Sequence, residues 1–156
     1  MQTLSKETWE KIEKAASKYP DRRSILLPAL WAAQYEFGYL SEDVIEAVAA
    51  AVGVSSAKAQ GVATYHSLLW KQKVGKYVVM LCTNIACTLL GAETILEHLE
   101  NKLGIHEGET TPDGMFTLLE VECIGSCGTA PAMVVNETFH YDLTVEKVDR
   151  ILAECR

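Results

Sequence analysis

The chain has 156 residues, 49% hydrophobic and 22% charged, with 14 basic against 21 acidic side chains for a net charge of −7. This composition excludes a disordered or collagen-like chain and fits one ordinary domain or two small ones, able to bury a core without disulfides. Nucleic-acid binding needs a basic face, and the tightest basic group, Lys71, Lys73 and Lys76, reads as a solvated linker. The longest apolar or small stretches, 25–33 and 47–54, fall short of the ~20 residues of a membrane span. Lys6, Glu7, Glu10, Lys11 and Glu13 interrupt any signal-peptide core. The expectation is a chain without direct membrane insertion that stays in the compartment where it is made.

Residues 1–70 read as four short helices packed as a bundle. Ser5 caps the first, with Glu7 in its first turn and Trp9, Ile12, Ala16 and Tyr19 on one face, until Pro20 and Asp21 break it. Ser24 is placed to cap the second, with Pro28 in its first turn and Gly38 at its end. Ser41 caps the third, which Gly53 stops; Ser55 or Ser56 caps the fourth, running to about Trp70. Nothing in these helices looks catalytic.

The pattern changes at 71–76, a polar stretch with Gly75, so the predicted boundary lies between a helical domain at 1–73 and a second domain at 74–156. Residues 77–81 form a β-branched apolar run, a buried strand. Leu89, Ala92, Leu96, Leu99 and Leu103 predict a helix over 88–103, closed by Gly104. A turn at 112–114 leads into a strand at 116–120. Residues 133–135 and 138–141 form a hairpin around Asn136 and Glu137, and Thr144 caps a last helix. The order is β-α-β-β-β-α. A strand, a crossover helix and a strand make a parallel pair, and the hairpin adds antiparallel neighbours. The fold class is α+β: a helical bundle, then a small mixed sheet covered by helices.

Five cysteines carry the chemistry. Cys82 and Cys87 form C-x4-C; Cys123 and Cys127 form C-x3-C; thirty-five residues, 88–122, separate the pairs. Each pair follows a predicted strand, so parallel neighbours would release both loops at one sheet edge. Four thiolates suit zinc, whose loops are commonly tighter, or a two-iron cluster with two cysteines per iron. Disulfide or dithiol chemistry stays open, although a thioredoxin-type dithiol needs C-x-x-C and the chain has none. For an anionic cluster, the start of helix 88–103 would aim N–H groups at Cys87, and Thr83 and Thr88 would add hydroxyl donors. Gly125 and Gly128 would let backbone approach sulfur. Ile85, Leu89, Ile124 and Ala130 would exclude water.

The remaining candidates read as structural. Cys155 is a free thiol near a frayed end. His98 lies on the polar side of its helix, and His66, His106 and His140 lack ligand spacing. Gly91 reads as close helix packing, and no nucleophile–base pair stands out.

The C-x4-C and C-x3-C loops with Ala130 and Pro131 resemble the thioredoxin-like [2Fe-2S] ferredoxin family. The residues from Leu27 through Gln34, then Gly38, Tyr39 and Leu40, and the stretch 62–65 resemble the branch of that family found in bacterial respiratory complex I, the NADH:quinone oxidoreductase. The resemblance implies a thioredoxin-like fold over ~76–156; it raises the chance that Pro131 is the cis proline of such folds, while the sequence leaves the isomer of the Ala130–Pro131 bond open. It implies that Cys82, Cys87, Cys123 and Cys127 bind one [2Fe-2S] cluster, the metal and cofactor ligands alike, with no catalytic residue and no independent substrate-turnover site. It implies a flavoprotein partner in the same complex that binds FMN and NADH while this chain binds neither. The complex would sit on the cytoplasmic side of the inner membrane. The same module occurs in NAD-linked hydrogenases and formate dehydrogenases.

Overall fold

The computed structural model describes residues 3–155. The chain divides into two compact units, one ending at Lys73 and one starting at Val74.

The first unit is helical. Helix α1 spans Lys6–Ala16, and the Ser5 hydroxyl accepts from Thr8 N. Its buried residues are Thr8 and Ile12, so the inward face is narrower than predicted: Trp9 is exposed, and Tyr19 lies exposed beyond the helix end. Helix α2 spans Leu26–Phe37. The predicted cap at Ser24 is wrong. Asp21 instead caps a 3-10 turn, Arg22–Ile25, by accepting from Arg23 N, and this turn runs directly into α2. Helices α3 (Glu42–Val52) and α4 (Ser56–Tyr65) are capped by Ser41 and Ser55. Gly38 and Gly53 stop α2 and α3 in the left-handed conformation, which costs glycine little. Leu30, Leu40, Ile45 and Val48 are among the fully buried residues between the helices. Each such side chain contributes about 1.5–3 kcal/mol.

Helix α4 ends at Tyr65, five residues short of the predicted Trp70. The backbone beyond it is claimed by α2. Buried Gln34 donates from Nε2 to Leu68 O (2.9 Å) and accepts at Oε1 from Trp70 N (2.7 Å). Leu40 N donates to Trp70 O (2.7 Å). These bonds hold 68–70 in a turn, with Leu69 N donating to His66 O (3.0 Å), that a continued helix could not share.

The second unit carries a four-stranded sheet in the order β2-β1-β3-β4, with β1 at Tyr77–Cys82, β2 at Phe116–Val121, β3 at Met133–Val135 and β4 at Thr138–His140. As the order of elements predicts, β1 and β2 are parallel, in a register that aligns Tyr77 with Phe116 and Cys82 with Val121. Strand β3 is antiparallel to both β1 and β4. The single helix expected over 88–103 is two: α5 at Ile85–Leu89 and α6 at Ala92–Leu103. Gly91 separates them at φ +96, and a Cβ there would meet nothing, so its role is conformational and not close packing. The last helix, α7 at Val145–Glu154, is capped by Thr144 and buries Val148, Ile151 and Leu152.

Two further expectations change. His98 is half-buried, not solvated: its Nε2 lies 2.8 Å from Asp149 Oδ1, linking α6 to α7. Hydrogen bonds from His98 and Lys102 hold the Asp149 carboxyl below its ordinary range. Cys155 is a free thiol as expected, but it packs partly buried against the sheet core and donates to Ile151 O. Burial pushes its thiol up.

Gly75 is not a solvated linker residue. Its N–H donates to Thr117 Oγ1 (2.6 Å), and a Cβ would sit 2.8 Å from the Phe116 carbonyl carbon. Gly75→Ala is expected to cost about 1–3 kcal/mol as overpacking against backbone that cannot yield. Gln34→Leu, which leaves Leu68 O and Trp70 N unpaired, is expected to cost about 2–4 kcal/mol. Denaturant unfolding of each variant measures both.

Candidate metal centre

Both cysteine loops leave the sheet at the same edge. Cys82 is the last residue of β1 and aligns with Val121, the last of β2. Thr83 N donates to Val121 O (3.1 Å), carrying the parallel ladder one step further. The chain from β1 enters α5, on which Cys87 is the third residue. The chain from β2 reaches Cys123 two residues later and then the 3-10 turn Cys127–Thr129. The Ala130–Pro131 peptide that follows is cis.

All four cysteines are free thiols. They divide into a buried pair and an exposed pair. Cys82 and Cys87 are 3% and 2% exposed, and they pack in one apolar cluster with Ala92, Ile124 and Ala130. Cys123 and Cys127 face solvent. The Cys82 thiol neighbours those of Cys87 and Cys123, and Cys87 lies within electrostatic reach of Cys127. Among the described residues, no three His, Cys, Asp or Glu side chains close around a point that would hold a single metal ion. A single tetrahedral metal would draw the sulfurs around one point, and a two-iron cluster would take two cysteines at each iron.

The surroundings favour negative sulfur at Cys82. Burial alone would raise the Cys82 thiol, but the amides of Asn84 and Ile124 and the thiols of Cys87 and Cys123 outweigh it, and its pKa falls. Burial, then Cys82, drives the Cys87 thiol up, with the Ala132 amide acting in the opposite direction. Thiols this close titrate as a unit. At the exposed loop, Gly125 adopts φ +76, and its N–H donates to Cys123 Sγ (3.4 Å).

These donors differ from those expected. Cys87 lies inside a five-residue helix, so no long helix aims its N-terminus from that point. The Thr88 hydroxyl donates to Thr83 O (2.9 Å). Ile85 and Leu89 are 75% and 80% exposed and shield nothing, leaving Ile124 and Ala130 as the apolar cover. Gly128 has open space where a Cβ would stand, so no close approach requires it. The amide donors of Asn84, Ile124 and Ala132 went unforeseen, because a backbone N–H leaves no trace in residue type. The chemistry of the donor set, four soft sulfurs beside several N–H groups, fits an anionic iron–sulfur group.

A family profile for thioredoxin-like [2Fe-2S] ferredoxins matches residues 12–156. The chain belongs to the thioredoxin-like [2Fe-2S] ferredoxin family. Relatives of this ferredoxin include an NADH-quinone oxidoreductase subunit of Rhizobium meliloti, 46% identical over 94% of this chain and 88% of that protein. An NADH-quinone oxidoreductase subunit of Rickettsia felis is 39% identical over 97% of this chain and 93% of that one. Among solved structures, a chain of an NAD+-reducing [NiFe]-hydrogenase in the air-oxidized state aligns at TM-score 0.72 with 18% identity, over 84% of this chain and 22% of its own length. At that identity the likeness is one of fold, and it agrees with the expected α+β thioredoxin-like architecture of this ferredoxin.

The burial difference gives a direct expectation for the metal-free ferredoxin. Brief treatment with a maleimide, followed by peptide mass mapping, should label Cys123 and Cys127 well before Cys82 and Cys87. Equal labelling of all four would contradict the observed packing.

Proposed function

We propose that this chain is the electron-transfer subunit of an NADH:quinone oxidoreductase, holding one [2Fe-2S] cluster through Cys82, Cys87, Cys123 and Cys127. The observation that carries the reading is the release of both cysteine loops at one sheet edge, in a chain of this family. When bound, such a cluster takes up and gives up one electron at a time. Everything else is the work of the chain's own residues. Cys82 and Cys87 grip from the buried side. Ala92, Ile124 and Ala130 keep water away. The amides of Asn84, Ile124, Gly125 and Ala132 stabilise charge on sulfur. Cys123 and Cys127 bring the site to the surface, where a partner can approach.

The partner in this reading is the flavoprotein of the same complex, which carries FMN and NADH and exchanges single electrons with this chain. The chain has no substrate-turnover site of its own and acts as part of the enzyme. Residues 1–73 form the helical domain that holds the partner, and 74–156 form the redox domain. No helix among the described residues is long and apolar enough to cross a membrane, and the proposed position is peripheral, on the cytoplasmic side of the inner membrane. Relatives at 39% and 46% identity favour this assembly over a hydrogenase, whose solved chain is alike in fold at 18% identity.

Anaerobically purified protein should be red-brown, contain about two irons and two sulfides per chain, and give a rhombic spin signal with dithionite. Single Cys→Ser changes at the four positions should each remove most of the iron, whereas Cys155→Ser should leave it unchanged. A colourless protein with one zinc per chain would sink the proposal in favour of a zinc-stapled interaction module. Removing residues 1–73 should abolish retention of the flavoprotein while the remainder keeps its colour; full retention would overturn the role given to the helices.

A further inference from the structure

The loop that carries Cys127 packs inward at Ile124 and Ala130, and the residues between them have little core packing to hold them. Cys123, Cys127, Gly128 and Thr129 are all exposed. Its shape is set by short-range hydrogen bonds. Ser126 Oγ and Thr129 Oγ1 lie 2.6 Å apart, and Thr129 Oγ1 also reaches Ser126 O at 3.4 Å. Thr129 N donates to the same carbonyl over 3.0 Å. Together these bonds close the 3-10 turn that begins at Cys127, a turn too short to hold itself by repeated backbone bonds. The far end is tied down as well. Asp142 N donates to Thr129 O (2.8 Å) and Leu143 N to Pro131 O (3.0 Å), and the Leu143 side chain is buried in the sheet core. Asp142 itself sits at φ +44, a conformation that a non-glycine residue adopts seldom.

We propose that the Ser126–Thr129 hydroxyl pair is a positioning device for the redox centre, fixing the backbone at Cys127 so that its sulfur is presented in one place. The inference rests on the proposed cluster reading and adds two residues to it, neither of them a ligand. Buried Cys82 and Cys87 are held by packing, so they need no such clasp. Exposed Cys127 is held through this turn and the backbone bonds just beyond it. Opening it lets the sulfur wander, which weakens the grip on the metal and changes the symmetry around it.

The test uses the full chain loaded anaerobically with iron and sulfide. Thr129→Val keeps the branched shape and removes the hydroxyl; Ser126→Ala removes its partner; Thr129→Ser restores a donor. Both deletions should speed bleaching by an iron chelator about two- to five-fold, the worth of one exposed hydrogen bond. Both should also move the g values of the dithionite-reduced protein. Thr129→Ser should behave as the parent. Combining Thr129→Val with Ser126→Ala should be no worse than Thr129→Val alone, because the hydroxyl–hydroxyl bond that the two share is lost only once. Unchanged bleaching and spectra in both deletions, or effects that add in the double variant, would overturn the proposal while leaving the cluster reading intact. A parent chain that takes up no iron would overturn both. If circular dichroism shows that Thr129→Val does not fold, Ser126→Ala decides the matter by the same two readouts.

Discussion

The parallel pairing of β1 with β2 is the constraint on which the site depends. Parallel strands run in one direction, so the chain leaves both of them at the same edge, and residues far apart in sequence meet there. An antiparallel pairing of the same strands would send the two cysteine loops to opposite ends. The register is pinned at the far end, where Gly75 N bonds the Thr117 hydroxyl and Lys76 and Tyr77 donate to Gly114 O and Met115 O. A slip of one residue would turn Cys82 to the other face of the sheet. A glycine and a threonine remote from any sulfur therefore help to decide where the sulfurs meet.

The features legible in the sequence are those written in residue type. Ser5, Ser41, Ser55 and Thr144 cap their helices as a hydroxyl before an apolar-periodic run predicts. Gly38, Gly53 and Gly104 end theirs in the left-handed conformation. The strands and their mixed pairing follow from β-branched runs, turn residues and the length of the crossover. The thiol set and its family are read from two spacings. What escaped was tertiary. Gln34 draws the backbone at 68–70 out of helical form, and no local property of that segment announces it. Asp21 wins the cap from Ser24 because a 3-10 turn precedes α2. Periodicity carried across Leu90 and Gly91 concealed a break, since apolar spacing continues on both sides of it. That break is what removes Cys87 from the start of a long helix.

The same break changes how negative sulfur is accommodated. A long helix would offer a fixed partial charge concentrated at its first turn. This fold instead distributes single amides from several loops: Asn84 and Ile124 toward Cys82, Ala132 toward Cys87, Gly125 toward Cys123. Each depends on the loop that presents it. Loop geometry thereby becomes electrostatics. The short α5 also leaves Ile85 and Leu89 pointing outward, because a helix of five residues has one inward position to fill and Cys87 fills it.

Burial divides the four sulfurs into two kinds of support. Cys82 and Cys87 share an apolar cluster with Ala92, Ile124 and Ala130, so their places follow from close packing, which transmits strain and resists displacement. Cys123 and Cys127 stand in solvent, where water competes for every polar contact. A site made wholly of the first kind would be stable and closed to a partner; one made wholly of the second would be open and loose. In the proposed site, joining one pair of each would give a centre anchored from within and accessible from outside. That combination suits an electron carrier, because the redox group must stay bound while a second protein comes close enough to exchange charge with it. It also locates the fold's weak side. Disturbance at the buried pair must first break a core, whereas disturbance at the exposed pair need only open a turn.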